Sequence, residues 1–248
     1  HENTNLEIIK YLVNNLSMDI NHTNINGDNC LTLACWGNTN LDIIKYLIND
    51  LKMDINYTDS DGHNCLMLAC YNDADLEIIK YLINDLKMDF NQTDNDGDNC
   101  LTLACWGNTN LDVIKYLIQE SKMDVNCIDN DGDNCLTCAC MNNTNIEVIK
   151  YLINDLKMDI NHKNNYGNNC FTLACWENAN LEIVKYLIES TNAVINFGTF
   201  QNNAQDQCQR WKEIIKLISK NFNRFRVMLF RGLTEYWSYS DDLIVFLT

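Results

Sequence analysis

The sequence returns to the same phrase every 35 residues. Gly27-Asp28-Asn29-Cys30-Leu31-Thr32-Leu33-Ala34-Cys35 recurs with small changes at Gly62–Cys70, Gly97–Cys105, Gly132–Cys140 and Gly167–Cys175. A second phrase, close to Leu-Asp/Glu-Ile-Ile-Lys-Tyr-Leu-Ile, begins at residues 41, 76, 111, 146 and 181, and a further copy occupies residues 6–13. A period in this range marks a stacked array, because no single unit can bury its own apolar face. That expectation overrides the one or two globular domains that 248 residues would otherwise imply. A stacked array presents an elongated surface, which points to the holding of another macromolecule.

Residues 59–93 show how one unit reads. Asp59-Ser60-Asp61-Gly62 has turn chemistry, with Gly62 able to take positive φ. Asn64 stands where an N-cap is needed, and Leu66, Leu68, Ala69 and Cys70 form the buried face of a short helix. Tyr71-Asn72-Asp73-Ala74-Asp75 interrupts the pattern. Leu76, Ile78, Ile79, Leu82, Ile83 and Leu86 then follow helical periodicity, predicting a second helix from Leu76 to about Lys87. Glu77 lies in its first turn, where the helix dipole favours an anion. Each unit is therefore expected to be helix, tight turn, helix and extended hairpin-like loop.

Composition narrows the setting. The apolar fraction of 46% can supply a continuous core, yet no run of 18 apolar residues predicts a membrane span. No signal peptide is visible, and the opening at His1 inside a repeat leads us to expect further sequence upstream. Ten of the thirteen cysteines fall in pairs five apart, such as Cys30/Cys35 and Cys100/Cys105. Five helical steps turn by about 140°, so the members of a pair do not face each other and a disulfide within the pair is not expected. They read as small buried hydrophobes in a reducing compartment, with the cytoplasm as the expected location. The net charge of −16 is uneven: residues 1–196 carry eleven lysines against twenty-nine carboxylates, whereas residues 197–248 carry a small positive excess. The array should repel nucleic acid and attract basic partners.

The repeated residues resemble the ankyrin repeat family. The core phrase of that family, Gly-x-Thr-Pro-Leu-His-Leu-Ala-Ala, corresponds to Gly97-Asp98-Asn99-Cys100-Leu101-Thr102-Leu103-Ala104-Cys105. Its second helix corresponds to Leu111-Asp112-Val113-Ile114-Lys115-Tyr116-Leu117, and its trailing Ala-Asp-Val-Asn to Met123-Asp124-Val125-Asn126. The unit is a 35-residue variant, its Thr-Pro-Leu-His tetrapeptide is replaced, and the usual helix-ending glycine is missing. The period and the residue bias resemble arrays of giant amoeba-infecting DNA viruses or AT-rich protists, for which the host cytoplasm would be the viral location. The resemblance implies an all-α solenoid over residues 1–196, followed by a degenerate repeat serving as a helical C-terminal cap with an apolar tail over 197–248.

The resemblance also implies that a protein partner binds on a concave face of hairpin tips and inner helices. On this chain the corresponding acidic comb includes Asp28, Asp61, His63, Asp96, Asp98, Asp131, Asp133 and Tyr166. Trp36, Tyr71, Trp106, Met141 and Trp176 add a bulky stripe at the ends of the inner helices. Aromatic side chains flanked by carboxylates suit a basic, partly apolar partner. Packing between units explains the stripe as readily as an exposed ladder does, and solubility alone could explain the comb.

No metal, cofactor or catalytic constellation is expected. A calcium loop around Asp94-Asn95-Asp96-Gly97-Asp98 would place Gln92 and Leu103 at ligand positions that neither suits. Cys135, Cys138 and Cys140, with Cys127 nearby, have no second well-spaced pair for zinc and read as structural thiols. In the tail, Trp211, Ile214, Ile215, Ile218, Phe222 and Phe225 can line one helical face opposite several basic residues. That basic stretch, 210–231, is expected to cap the array; membrane or nucleic-acid contact is the lesser expectation. A structural subunit of a larger assembly or virion, docked through the tail, is the alternative functional expectation.

Overall fold

Pairs of short antiparallel helices repeat along the chain in the computed structural model, which describes residues 6–37, 40–176, 180–191 and 214. The inner helices are α2 (Cys30–Trp36), α4 (Cys65–Tyr71), α6 (Cys100–Gly107), α8 (Cys135–Asn142) and α10 (Cys170–Trp176). The outer helices are α1 (Leu6–Leu16), α3 (Leu41–Lys45), α5 (Leu76–Lys80), α7 (Leu111–Gln119), α9 (Ile146–Lys150) and α11 (Leu181–Ser190). Each inner helix packs against the next inner helix, and α7 lies between α5 and α9 in the outer layer. No strand occurs among the described residues, where only isolated bridges such as Thr58 with Asn64 are found. The all-α solenoid expected from the period is the observed architecture.

Asparagine starts every inner helix for which a cap is described. The Asn29, Asn64, Asn99 and Asn134 side chains accept backbone N–H bonds from the second and third helical residues. At Asn29, Asn99 and Asn134 a threonine hydroxyl three residues on takes the cap's own N–H, closing a capping box. Met67 stands at that position in the second unit and cannot do so. Nearly the whole of α4, α6, α8 and α10 is buried, Met67 included, so the buried face is wider than the expected set of Leu66, Leu68, Ala69 and Cys70; in the first inner helix, α2, Leu33 and Trp36 are exposed.

The outer helices end differently from the expectation. Helix α5 does not continue regularly to Lys87; its last turn, Tyr81–Asp85, is π-helical, as are Tyr46–Asp50 and Tyr151–Asp155. A π turn takes one extra residue into the helix; α7 and α11 run on as α-helix instead. The chain then stops at a lysine in the left-handed region, with φ of 57° at Lys52, 58° at Lys87, 61° at Lys122 and 57° at Lys157. Met53, Met88, Met123 and Met158 donate their N–H back across this stop to Leu47, Leu82, Leu117 and Leu152. Lysine thus occupies the place where glycine would relieve the Cβ contact with the backbone.

One buried core runs through the stack from Leu31 to Ile188 and includes Ile214. Each buried Leu or Ile side chain contributes roughly 1.5–3 kcal/mol relative to exposure. The faces that bury them belong to adjacent units, so this contribution exists only in the stack. The cysteines follow the same rule. Cys35 contacts Cys65, Cys70 contacts Cys100, Cys105 contacts Cys135 and Cys140 contacts Cys170, always between one unit and the next. All described cysteines are free thiols. The outer layer is tied by tyrosines: Asn49 donates to Tyr81 at 2.9 Å, Tyr116 donates to Asn84 at 3.1 Å and Gln119 donates to Tyr151 at 3.1 Å. Lys45 and Lys115 lie over the Tyr81 and Tyr151 rings of the following unit at 5.2 and 5.6 Å.

Apart from Ile214, the tail residues singled out in the sequence lie outside the described region. Among the described residues no helix is long and apolar enough to cross a membrane.

Candidate functional site: the hairpin and inner-helix face

The hairpins stand in register because each hydrogen-bonds to the one before it. Asn95, Asn130 and Asn165 donate their backbone N–H to the carbonyls of Asp61, Asp96 and Asp131 at 3.0, 2.9 and 2.8 Å. Their side-chain amides donate to Ser60, Asn95 and Asn130 at 3.0, 3.1 and 3.0 Å. Glycine is required where the next hairpin arrives. Gly97 has φ of +85°, and a Cβ there would sit 2.7 Å from Asn130 Oδ1 and 2.8 Å from its backbone N.

This stacking divides the sequence-predicted comb into two rows. Asp61, Asp96 and Asp131 are exposed at the tips. Tyr166, 66% exposed, joins them by donating its hydroxyl to Asp131 at 3.0 Å. The second row, Asp28, His63, Asp98, Asp133 and Asn168, lies at the base of the hairpins, half-buried to buried. Asp28 accepts from Asn24 at 3.0 Å. Asp133 is only 3% exposed and both its oxygens accept from Asn164, at 3.2 and 3.0 Å, so it faces the next hairpin instead of solvent. A single comb of equal, outward-facing acids is therefore not what the fold builds.

His63 is the most heavily engaged member of the second row. Its Nδ1 lies 3.1 Å from Asp59 of its own hairpin and its Nε2 3.0 Å from Asp94 of the next. With Asp59 and Asp94 ionised, both ring nitrogens donate, which requires the imidazolium. The hydrogen bond to Asp94, aided by the charge of Asp59, raises its pKa to about 9 against the desolvation of the site. One unit further along, the same register holds Asp98. Burial pushes its pKa up to about 6, with further contributions from Asp129, Asp94 and Asp96, while a Thr102 hydrogen bond opposes the rise. Burial also leads in raising Asp129 and Asp133.

The bulky stripe is graded. Trp36 is 47% exposed, whereas Tyr71, Trp106, Met141 and Trp176 are half-buried. Tyr71 and Trp106 pack ring to ring across a unit boundary, with centroids 5.2 Å apart and planes tilted by 43°. The Trp106 indole nitrogen is buried and has no hydrogen-bond partner among the described residues. Tyr71, Trp106 and Trp176 pack against the core and keep partial exposure, whereas Trp36 is the most exposed member of the stripe. Sequence reasoning missed Asp94 and Asp129 as second-row partners. Their signal was the Asp59, Asp94, Asp129 column at 35-residue spacing.

Family models for ankyrin repeats match residues 37–129 and 101–198, and another matches residues 1–48. The chain belongs to the ankyrin repeat family. The ankyrin repeat protein EF0377 superposes with a TM-score of 0.54 at 23% identity, covering 75% of this chain and 92% of that one. A structure of the predatory endopeptidase Bd0816 from Bdellovibrio bacteriovorus in complex with the immunity protein Bd3460 matches with a TM-score of 0.52 at 24% identity, covering 68% of this chain and 84% of that one. At such identities the likeness extends to the fold alone. Comparison with curated proteins finds no match. Ankyrin repeats generally serve protein–protein interaction, and that coarse role is the one this chain shares.

Proposed function

We propose that this ankyrin array is a non-enzymatic scaffold that takes a basic, partly apolar protein segment across its hairpin tips and inner helices. The observation that carries the reading is the exposed row of Asp61, Asp96 and Asp131, held at a fixed spacing by the hairpin stack. An inner helix of about seven residues separates this row from the Trp36, Tyr71, Trp106, Met141 and Trp176 stripe by about 10 Å. Carboxylates would steer the partner and accept its cations, and the accessible flanks of the rings would take its apolar side chains. In the second row His63 and Asp133 join successive hairpins and contribute rigidity. Residues 1–196 act as the binding array and the following segment as its cap, which the burial of Ile214 in the common core supports. The free thiols favour a reducing compartment such as the cytoplasm.

The test is capture followed by residue-resolved crosslinking, repeated with Asp61→Asn/Asp96→Asn/Asp131→Asn. A basic client crosslinked to the tips, with affinity that falls as salt rises and falls at least tenfold in the triple variant, supports the reading. A client crosslinked elsewhere, or a stoichiometric particle held through residues 197–248, overturns it.

A further inference from the structure

The junction between the third and fourth hairpins assembles a group that the repeat pattern hides. A carboxylate oxygen of Asp98, one of Asp129 and the Cys138 sulfur all lie within 4.8 Å of one another. Asp98 closes one hairpin; Asp129 opens the next, and Cys138 lies in the helix behind it. At the register of Cys138 the other four units carry leucine: Leu33, Leu68, Leu103 and Leu173. The side chain is 5% exposed, and its thiol has no hydrogen-bond partner among the described residues. Cys35, Cys70, Cys105 and Cys140 each meet a thiol of the next unit, whereas this one faces two carboxylates.

We propose that Asp98, Asp129 and Cys138 form a site for a borderline-soft divalent cation of the zinc type, bridging two units of the stack. The donor set selects the class. Two carboxylates alone would suit calcium or magnesium, but a thiolate in the set favours zinc over those hard ions. Zinc holds sulfur at about 2.3 Å and carboxylate oxygen at about 2.0–2.2 Å, so its ligand atoms sit on the order of 3.5 Å apart. The present atoms, all within 4.8 Å of one another, would draw together to that spacing around the ion. Asp98 and Asp129 are half-buried and so in reach of solvent, from which a water would supply the fourth ligand. The cation would neutralise carboxylates that no imidazolium reaches here, the part His63 plays one junction earlier. Ligand spacing within one unit could not reveal this site, because its donors come from two.

Cobalt titration of the metal-free, reduced protein tests the proposal. One equivalent of Co2+ should bind with a thiolate-to-cobalt charge-transfer band and be displaced by Zn2+, while excess Ca2+ or Mg2+ leaves it in place. Cys138→Leu restores the residue native to that register and should abolish the band and weaken binding at least tenfold; Asp98→Asn should weaken it likewise. Cys127→Ser controls for the neighbouring thiols and should change nothing. Absence of the band, its persistence in Cys138→Leu, or its loss in Cys127→Ser with Cys138→Leu unaffected would overturn the site. Far-UV circular dichroism verifies folding, and if Cys138→Leu loses its helical signal, the Asp98→Asn titration decides.

Discussion

The second-to-third and third-to-fourth hairpin junctions share the same hairpin hydrogen bonds and differ most in one side chain, His63 against Asp98. At the first, His63 stands between Asp59 and Asp94 and carries the charge that both carboxylates need. At the second, Asp98 stands between Asp94 and Asp129, so the same register holds a third carboxylate in place of a cation. Identical hydrogen bonds close both hairpins: Asp59 to His63 at 3.0 Å and Asp94 to Asp98 at 2.9 Å. A repeat can therefore keep its geometry while the electrostatics of its joints reverse from unit to unit. In a solenoid each joint contributes separately to stability, so the weaker joint sets where the stack opens first.

The largest expected effect comes from making the strong joint resemble the weak one. His63→Asp removes the imidazolium and adds a carboxylate beside two others, and should destabilise the array by about 2–3 kcal/mol at pH 7 in chemical denaturation. An effect below about 0.5 kcal/mol would break the comparison. Next is the reverse exchange: Asp98→His places an imidazole between Asp94 and Asp129 and should stabilise by about 1–2 kcal/mol at pH 7, read as a rise in Tm.

The pH dependence of the two joints should diverge. His63 binds its proton more tightly in the folded chain, at about 9, than in the unfolded chain, near 6.5. Its contribution is therefore complete below pH 6.5 and is lost as pH rises through about 9. His63→Gln should differ most from the native protein below pH 6.5, with the gap closing near pH 9–10. Asp98 is also raised, to about 6 from an ordinary 3.8. The stability it lends is complete below pH 3.8 and lost as pH rises through about 6, leaving an ionised carboxylate in a half-buried place. In the metal-free protein Asp98→Asn should gain about 1 kcal/mol at pH 7, after allowance for solvent screening, and nothing near pH 3.5. A gain that did not vanish in acid would assign the effect to packing. The smallest effect serves as a control. Lys87→Gly and Lys122→Gly relieve left-handed backbone at equivalent helix stops, and each should gain about 0.5–1 kcal/mol by thermal unfolding, equally in both units. Unequal gains would trace to the turns before the stops, π-helical at Tyr81–Asp85 and α-helical through Gln119.

Periodicity and local chemistry were enough for much of this protein. The 35-residue period made the stack, the apolar positions of the second phrase oriented the outer helices, and the asparagine before each Cys-Leu marked the inner helix starts. These are short-range properties, decided by dihedral preference, capping and the need to bury an apolar stripe. The π turns were not legible, because a helix one residue too long can widen, kink or fray, and only packing against the next unit selects among these. The direction of each side chain in the hairpins was likewise undecided. Asp61 and Asp133 look alike in sequence, yet one faces water and the other Asn164 of the following hairpin. His63 meeting Asp94, and Asp98 meeting Cys138, are contacts across 31 and 40 residues of chain. They exist because stacking brings equivalent registers of successive units side by side. The sequence by itself determined the repeating unit and that it must stack; the tertiary structure decided which charges share a joint, since electrostatic partnership depends on distances between units that no single unit contains.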